Sequence, residues 1–553
     1  MSRVLHRATC SGSWKRPQAR PYAAGVTTTL YRNGRVRSTA DPFATALLVD
    51  GPTVAWVGSA GAAAGMSADV VVDLEDAWVA PAFVDAHVHA TANGLALTGL
   101  DLTGAPSLAV ALDRVADAAR RARGAAVLGT GWDDTAWPER RPPTAAELDR
   151  ASYGGVVYLA RTDVHSAVAS SALLAAVPGA RSADGFGRDG LVRTDAHHLV
   201  RRAAYEAVTP PQRRAAQQAT LARAASLGIG CVHECGGPDI GGEDDFRELL
   251  AADHGVTVLG YWGELDGVER ARQLGALGAG GDLFADGALG SHTACLCEPY
   301  ADADTRGQPY LTAGQVARHV AACTRAGLQA GFHAIGDAAL AAVLDGMSAA
   351  AEQVGLRPVR AARHRVEHAE QLTADAIGRL AALGMVASVQ PAFDARWGGP
   401  DGMYATRLGR ERAAALNPYA ALAAAGVALA LGSDAPVTPL DPWGTLRAAV
   451  HHRTPGSGLS ARAAFSAHTR GGWRAARHDG GGDLVPGAPA TFALWRVEGE
   501  LVVQTPDDRV AGWSTDPRAG VAGLPDLEGP EPLCLRTVVD GNTIFTRTAA
   551  NPA

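Results

Sequence analysis

Lysine is all but missing from this chain: of 50 basic residues, Lys15 alone is not arginine. From residue 16 onward nothing can form a Schiff base, hold phosphate as a P-loop lysine does, or carry a carboxylated-lysine metal bridge. Cysteine is scarce too. The seven cysteines form an odd set with no C-x-x-C pair, which argues against a disulfide framework. Long apolar runs are absent: the longest, around Ala420 to Leu431, is Ala-rich and well short of the ~20 residues of a membrane span. Excess positive charge is missing as well. Fifty basic against 57 acidic residues leave a net charge of -7, so no overall positive field exists to hold nucleic acid or anionic lipid. Residues 1–26 contain Arg3, Arg7, Lys15, Arg16 and Arg20 but no continuous apolar segment. They are expected to be a disordered leader rather than a secretion signal, and the compartment to be the cytoplasm.

What is present is enough apolar material, 47% of 553 residues, for a large core. From Thr29 to Val72 short apolar runs alternate with turn signals, Asn33-Gly34 and Asp50-Gly51. The same habit returns near the other end, with Asp540-Gly541. Residues 27–80 and 480–548 are therefore expected to build one composite β-sandwich, since either part alone is too small for a stable core. Between them, β-rich runs alternate with Ala-rich helical stretches. Candidate strands fall at 83–89, 230–234, 256–264, 282–287, 328–334, 364–369, 385–391 and 427–436. Eight strands in a βα rhythm make an α/β fold of the (β/α)8 TIM-barrel type, covering 81–94 and 226–479. An insertion after barrel strand 1, residues 95–225, is expected to shape a substrate pocket.

In such barrels chemistry sits where strands run out into loops. His87 and His89 end the first candidate strand, and a period of two puts both imidazoles on one face, where they can share a metal. His333 and His368 each end a later strand, and Asp434 ends the eighth, which neighbours the first in a closed ring. Four imidazoles and a carboxylate thus gather at one barrel mouth. His292 and Gln390 follow barrel strands and are candidates to face a substrate. Trp132 is a candidate for lining an apolar pocket, with packing as the alternative. Arg365 reads as a buried ion-pair partner. Cys231, His233, Glu234 and Cys235 do not have the spacing of a four-ligand site, and His197-His198 and His451-His452 read as solvated.

The stretches PAFVDAHVHA, DLFADGALGSHTA with EPY, GFHAIGDAA, HRVEHAE, SVQP and GSDAPV resemble the amidohydrolase superfamily. Within it they resemble the amidohydrolase-3-type branch, which contains N-substituted formamide deformylases. The resemblance runs from about Thr28 to Thr546 and includes GWDD at 131–134 and RTDVHS at 161–166. It implies a metal-binding barrel beside a β-sandwich built from both chain ends. It implies His87, His89, His333 and His368 as metal ligands, Asp434 as the catalytic carboxylate that can also touch metal, and His165 as a residue near the substrate.

One position departs from the pattern. Many family members carry a strand-four lysine, carboxylated in some to bridge two metals; here the alignment on F-A-D-G puts Asp282 in its place. Aspartate is much shorter and would bridge two ions only if strand and metals approached closely. The expectation is one divalent ion, Zn2+ for choice, with Asp282 among its ligands and Asp286 as a substitute; the alternative is that Asp282 is a solvated strand-start residue. The implied function is hydrolysis of a non-peptide C–N bond in a small-molecule substrate, with Asp434 as general base and acid. Two other readings stay open: a heterocyclic amine deaminase on the same site, and a degenerate barrel that binds a ligand without turnover. A homodimer is the default assembly.

Overall fold

Eight parallel strands, most of them buried along their whole length, form a single sheet: β1 Phe83–Val88, β2 Ile229–Gly236, β3 Thr257–Trp262, β4 Gly278–Ala279, β5 Gln329–Ala334, β6 Arg365–His368, β7 Val386–Val389 and β8 Ala428–Leu431. The computed structural model describes residues 27–134, 137–161, 166–502 and 522–548, so the segment expected to be a leader lies outside the described residues. The strands pair in chain order, and a parallel bridge from Val88 to Ala435 brings the first against the chain following the last. The ring is nearly closed, as the eightfold βα rhythm implied. Both faces of these strands are buried, as is usual for a parallel sheet, and the polar residues they carry, such as Asp85, His233, Arg365 and Glu367, are buried with them.

Strand four differs from its expected position. Its ladder covers Gly278–Ala279, and Asp282–Gly287 follows as an irregular stretch that rejoins β5 only around Phe284 and His333. The cause is local. A Cβ on Gly280 would lie 2.0 Å from the backbone nitrogen of Gly331, and Gly281 is left-handed at φ +86°. The two glycines press the backbone against β5 and turn it, which breaks the ladder.

The chain ends meet in a five-stranded sheet ordered Arg35–Val36, Trp78–Pro81, Phe492–Arg496, Leu533–Val539 and Asn542–Thr546. A four-stranded sheet of N-terminal segments packs on it through Tyr31, Leu47, Val49, Val79, Phe492, Leu494 and Val538. Asp50-Gly51 and Asp540-Gly541 are hairpin turns; Asp540 and Gly541 both have positive φ, the geometry that matches strand twist. Asn33-Gly34 is not a hairpin: the strands it joins belong to different sheets. Against the foot of β1, Phe83 meets Trp443 at 5.3 Å and Trp495 at 5.8 Å, which ties the end-built sheet to the barrel.

The insertion carries a five-stranded sheet of its own, ordered Leu191–Arg193, Ser166–Ala169, Val157–Arg161, Val127–Trp132 and Leu100–Asp101, with separate apolar cores. It leaves the barrel after α1, Ala90–Thr98, and returns through α2, Pro210–Ser226, which pack together with Asn93 Nδ2 donating to Thr220 Oγ1. A capping box starts α3, Ala313–Ala326: Thr312 and Gln315 satisfy each other's free backbone amides, and Gly327 in the left-handed region ends it. No helix among the described residues is long and apolar enough to cross a membrane.

Candidate metal centre

Asp282 lies among all four histidines. Its Oδ2 is 3.4 Å from His87 Nε2 and 3.2 Å from His89 Nε2, and its Oδ1 is 3.5 Å from His333 Nδ1 and 3.6 Å from His368 Nε2. Asp434 Oδ1 completes the His87 side, 3.5 Å from His87 Nε2 and 3.1 Å from His89 Nε2. Five residues named from sequence, His87, His89, His333, His368 and Asp434, thus meet around a sixth.

Local backbone geometry makes the convergence. His87 and His89 are two apart at the end of β1, so the pleat sends both inward. In a regular β6, Glu367 and His368 would face opposite sides. His368 is instead left-handed at φ +68°, as is Asp434 at φ +55°, and each such backbone costs on the order of 1–3 kcal/mol. The Asp434 amide is anchored to His87 O at 2.8 Å.

Three imidazoles have their outward nitrogen committed, which fixes the nitrogen that points inward. His87 Nδ1–H donates to Glu367 Oε2 at 3.1 Å, His368 Nδ1–H to Gln390 Oε1 at 2.8 Å, and His333 Nε2–H to Gly287 O at 3.1 Å. Glu367 is in turn held by Arg365 through bonds of 2.8 and 2.9 Å; burial alone would raise its pKa, and the Arg365 guanidinium brings it down to about 2. Arg365 also donates to Ala86 O, Ser388 Oγ and His233 Nδ1 and lies over the Tyr261 ring. Burial and the Arg365 charge hold His233 well below the usual histidine range, so it accepts as a neutral ring.

The inward atoms are different. His87 Nε2, His333 Nδ1, His368 Nε2, Asp282 Oδ1 and Asp434 Oδ1 are all buried and form no hydrogen bond. Polar atoms rarely stay buried and unsatisfied without a ligand to serve. With His89 Nε2 and Asp282 Oδ2 included, the nearest nitrogen–oxygen separations in the cluster, 3.1–3.6 Å, match the roughly 3.3 Å edge of a tetrahedron of donors about 2.0–2.1 Å from a central cation. The electrostatics agree. Burial disfavours charge on His89, yet Asp282 and Asp434 outweigh it and hold the ring well above its ordinary pKa; burial would raise Asp282, yet His87 and the other imidazoles hold it well below. The site is built around positive charge, and its donor set fits a divalent metal.

The other residues singled out from sequence lie elsewhere or act differently. Gln390, expected to face a substrate, is 2% exposed and orients His368. Trp132 is 1% exposed: its indole N–H donates to Leu159 O, and its ring lies against Trp137 in the insertion's own core, so it packs rather than lining an open pocket. His292 is partly exposed and paired with Asp302 at 2.9 Å. His165 lies outside the described residues. Asp286 accepts from the amides of Cys295, Ile335 and Gly336 and so anchors the loop after strand four rather than replacing Asp282. The doublets read as solvated are half-buried pairs: His197 meets Tyr158 Oη at 2.7 Å, and the His452 side chain is 1% exposed beside Asp394. Sequence reasoning missed Glu367. Its signal was the period-two Arg365–Glu367 spacing, which puts a charge pair on the inner face of a barrel strand.

Comparison with known proteins places this geometry among relatives. The model of the amidohydrolase family matches residues 70–545. The Arabidopsis thaliana Protein LONG AFTER FAR-RED 3 is 30% identical over 522 residues, covering 86% of this chain and 88% of that protein. Crystal structures of uncharacterized metal-dependent hydrolases from Pyrococcus furiosus and Pyrococcus horikoshii superpose with TM-scores of 0.72 and 0.72 at 26% and 25% identity. They cover 84% and 86% of this chain and 98% of each of theirs.

Proposed function

The chain belongs to the amidohydrolase family, and from that premise we propose that this metal-dependent hydrolase cleaves a non-peptide C–N bond, of the N-substituted amide or formamide type, in a small molecule. The observation that carries the reading is the set of five buried, unsatisfied donor atoms converging at the barrel mouth. His87, His89, Asp282 and Asp434 would hold a divalent ion, for which imidazole and carboxylate donors make Zn2+ the first choice. Such an ion, when bound, makes water a competent nucleophile near neutral pH and polarises a carbonyl.

The protein's own residues supply the proton steps. Asp434, on the exit of β8, takes the proton of the attacking water and returns it to the departing nitrogen. An amide needs that return because an amide anion is a very poor leaving group. Glu367 and Gln390 keep the His87 and His368 rings turned with the free nitrogen inward. Phe284 lies edge-on to His333 at 4.9 Å and Phe393 stacks on His368 at 5.9 Å, which supports an apolar wall beside the reacting group.

The test is a screen of chelator-stripped and Zn2+-reloaded protein against N-formyl, N-acyl and cyclic amides. Release of a free amine that depends on metal supports the reading. Release of ammonia from heterocyclic amines instead would make the protein a deaminase, and bound metal with no turnover of any class would remove the hydrolase assignment.

A further inference from the structure

We infer that Asp85 is a positioning residue: one of its carboxylate oxygens locks the first barrel strand to the chain after the eighth, in the register that turns His87 and Asp434 toward each other. The inference rests on the metal reading above and names what the barrel seam contributes to it.

The seam is where the ring lacks a ladder. Every other neighbouring pair of barrel strands exchanges ladder bonds, whereas β8 and β1, among the described residues, share only the isolated bridge between Val88 and Ala435. Buried backbone groups still need partners, and along this edge of β1 they can be traced. The Val84 amide donates to His468 O at 2.8 Å, and His468 Nδ1–H donates to Val84 O at 3.0 Å. The Asp434 amide donates to His87 O at 2.8 Å and the His89 amide to Ala435 O at 3.0 Å. Two further amides, His87 N–H in β1 and Ser433 N–H after β8, turn to one side chain instead: both donate to Asp85 Oδ1, at 3.2 and 2.9 Å. Asp85 and Ser433 are buried, so solvent does not take over these bonds.

The approach is close enough to exclude a side chain. Gly432, between the end of β8 and Ser433, would carry a Cβ 2.6 Å from His87 N and 3.1 Å from Asp85 Oδ1. Any residue but glycine there would press the two strands apart.

What the seam positions is Asp434, the next residue after Ser433. Its backbone is left-handed at φ +55°, and such a conformation persists only where the surroundings over-determine it. They do so from both flanks. Ser433 is held by Asp85 through its amide and by Thr438 Oγ1 through its carbonyl, and Ser433 Oγ accepts the Ala435 amide at 3.1 Å. Within this set the Asp85 bond alone comes from a side chain of β1, the strand that carries His87 and His89. Asp85 belongs to none of the ligand groups at the mouth and acts through His87 and Asp434.

The test uses full-length protein stripped with chelator and reloaded with Co2+, whose visible absorption reports the number and geometry of its ligands. Asp434→Asn gives the reference spectrum of a centre whose β8 carboxylate is altered. Asp85→Ala removes the acceptor, and Gly432→Ala keeps it but forces the seam open. Each is expected to reproduce the altered spectrum and to bind Co2+ about tenfold or more weakly than the unmodified protein. Asp85→Asn, whose amide oxygen accepts the same two amides, should restore the unmodified spectrum and affinity. Far-ultraviolet circular dichroism confirms folding, and if Asp85→Ala does not fold, Gly432→Ala and Asp85→Asn carry the test. An unmodified spectrum in either folded alanine variant would overturn the inference, as would a spectrum in Asp85→Asn as altered as the reference. If the unmodified protein binds no Co2+, the metal reading falls by itself, and crystal structures of Asp85→Ala and Gly432→Ala decide the positioning: Asp434 displaced from the left-handed region supports it, and Asp434 unmoved among the imidazoles overturns it.

Discussion

Glu367 accepts the Nδ1 proton of His87 at 3.1 Å while Arg365 grips its carboxylate, so a fully buried ion pair sets which nitrogen of His87 faces the candidate centre. Replacing Glu367 by Gln keeps the shape but removes the charge that balances Arg365. Metal affinity is expected to fall roughly 10–100-fold. Stability should fall by about 3–5 kcal/mol, because Arg365 is left charged in the interior. Chelator competition measures the first and denaturant unfolding the second; an unchanged metal affinity would show that Glu367 is structural alone.

Gln390 makes a milder contribution of the same kind. Gln390→Leu frees the His368 ring to rotate, and metal retention at that ring should drop by about tenfold with little change in stability. Gln390→Glu, which still accepts the ring proton, should restore it. Equal retention in both variants would count against the orienting role.

Asp434→Asn separates binding from chemistry. Three other ligands remain on its side, so metal content should be largely kept, while hydrolysis falls by about 10²–10⁴-fold with the loss of the proton carrier. Metal analysis and initial rates on the same preparation decide it, and unchanged turnover ends the assignment.

Trp132→Ala tests the correction made to that residue. As a packed core residue of the insertion it should cost about 3–5 kcal/mol of stability, with metal content untouched. A variant of full stability with altered substrate preference would return Trp132 to the pocket.

Acid sensitivity has an identifiable source at the foot of β6. His364 is 1% exposed; its Nδ1 accepts the Ala330 amide at 2.8 Å and its Nε2–H donates to Thr324 Oγ1 at 2.9 Å. Burial first, then the nearby His319 and Arg477, lower its pKa from 6.5 to about 3. The unfolded chain takes up a proton below pH 6.5 that the folded chain refuses down to about 3, so this contribution to stability is complete above that window and is lost as pH falls through it. The loss is on the order of 3–5 kcal/mol. In His364→Gln, which keeps one donor and one acceptor, thermal midpoints between pH 7 and pH 4 should fall less steeply than in the unmodified protein. Parallel slopes would place the sensitivity elsewhere.

Much of the fold was legible because strand spacing and strand-end polarity follow simple periodicities. The H-x-H pair and the polar exits of β5, β6 and β8 point to the centre from sequence alone. Strand four was misplaced because apolar alternation in DLFADG carries no mark of the steric wedge made by Gly280 and Gly281, which depends on Gly331 in another strand. Gln390 and Trp132 were given the wrong surroundings for a related reason. A polar group after a strand and an indole near one look alike in sequence whether they meet solvent or a neighbour. Glu367 went unnamed because its partner His87 lies 280 residues away.

The sheet that joins the two chain ends carries a further consequence for biogenesis. Trp78–Pro81 pairs with Phe492–Arg496, so the early strand emerges from the ribosome with its hydrogen-bonding edge open until nearly everything downstream has been made. At a synthesis rate of about 5–20 residues per second that wait is on the order of half a minute. During it the nascent protein exposes an adhesive edge carrying Trp78 and Val79, and the N-terminal part should engage holding chaperones until Phe492–Arg496 arrives to cover it.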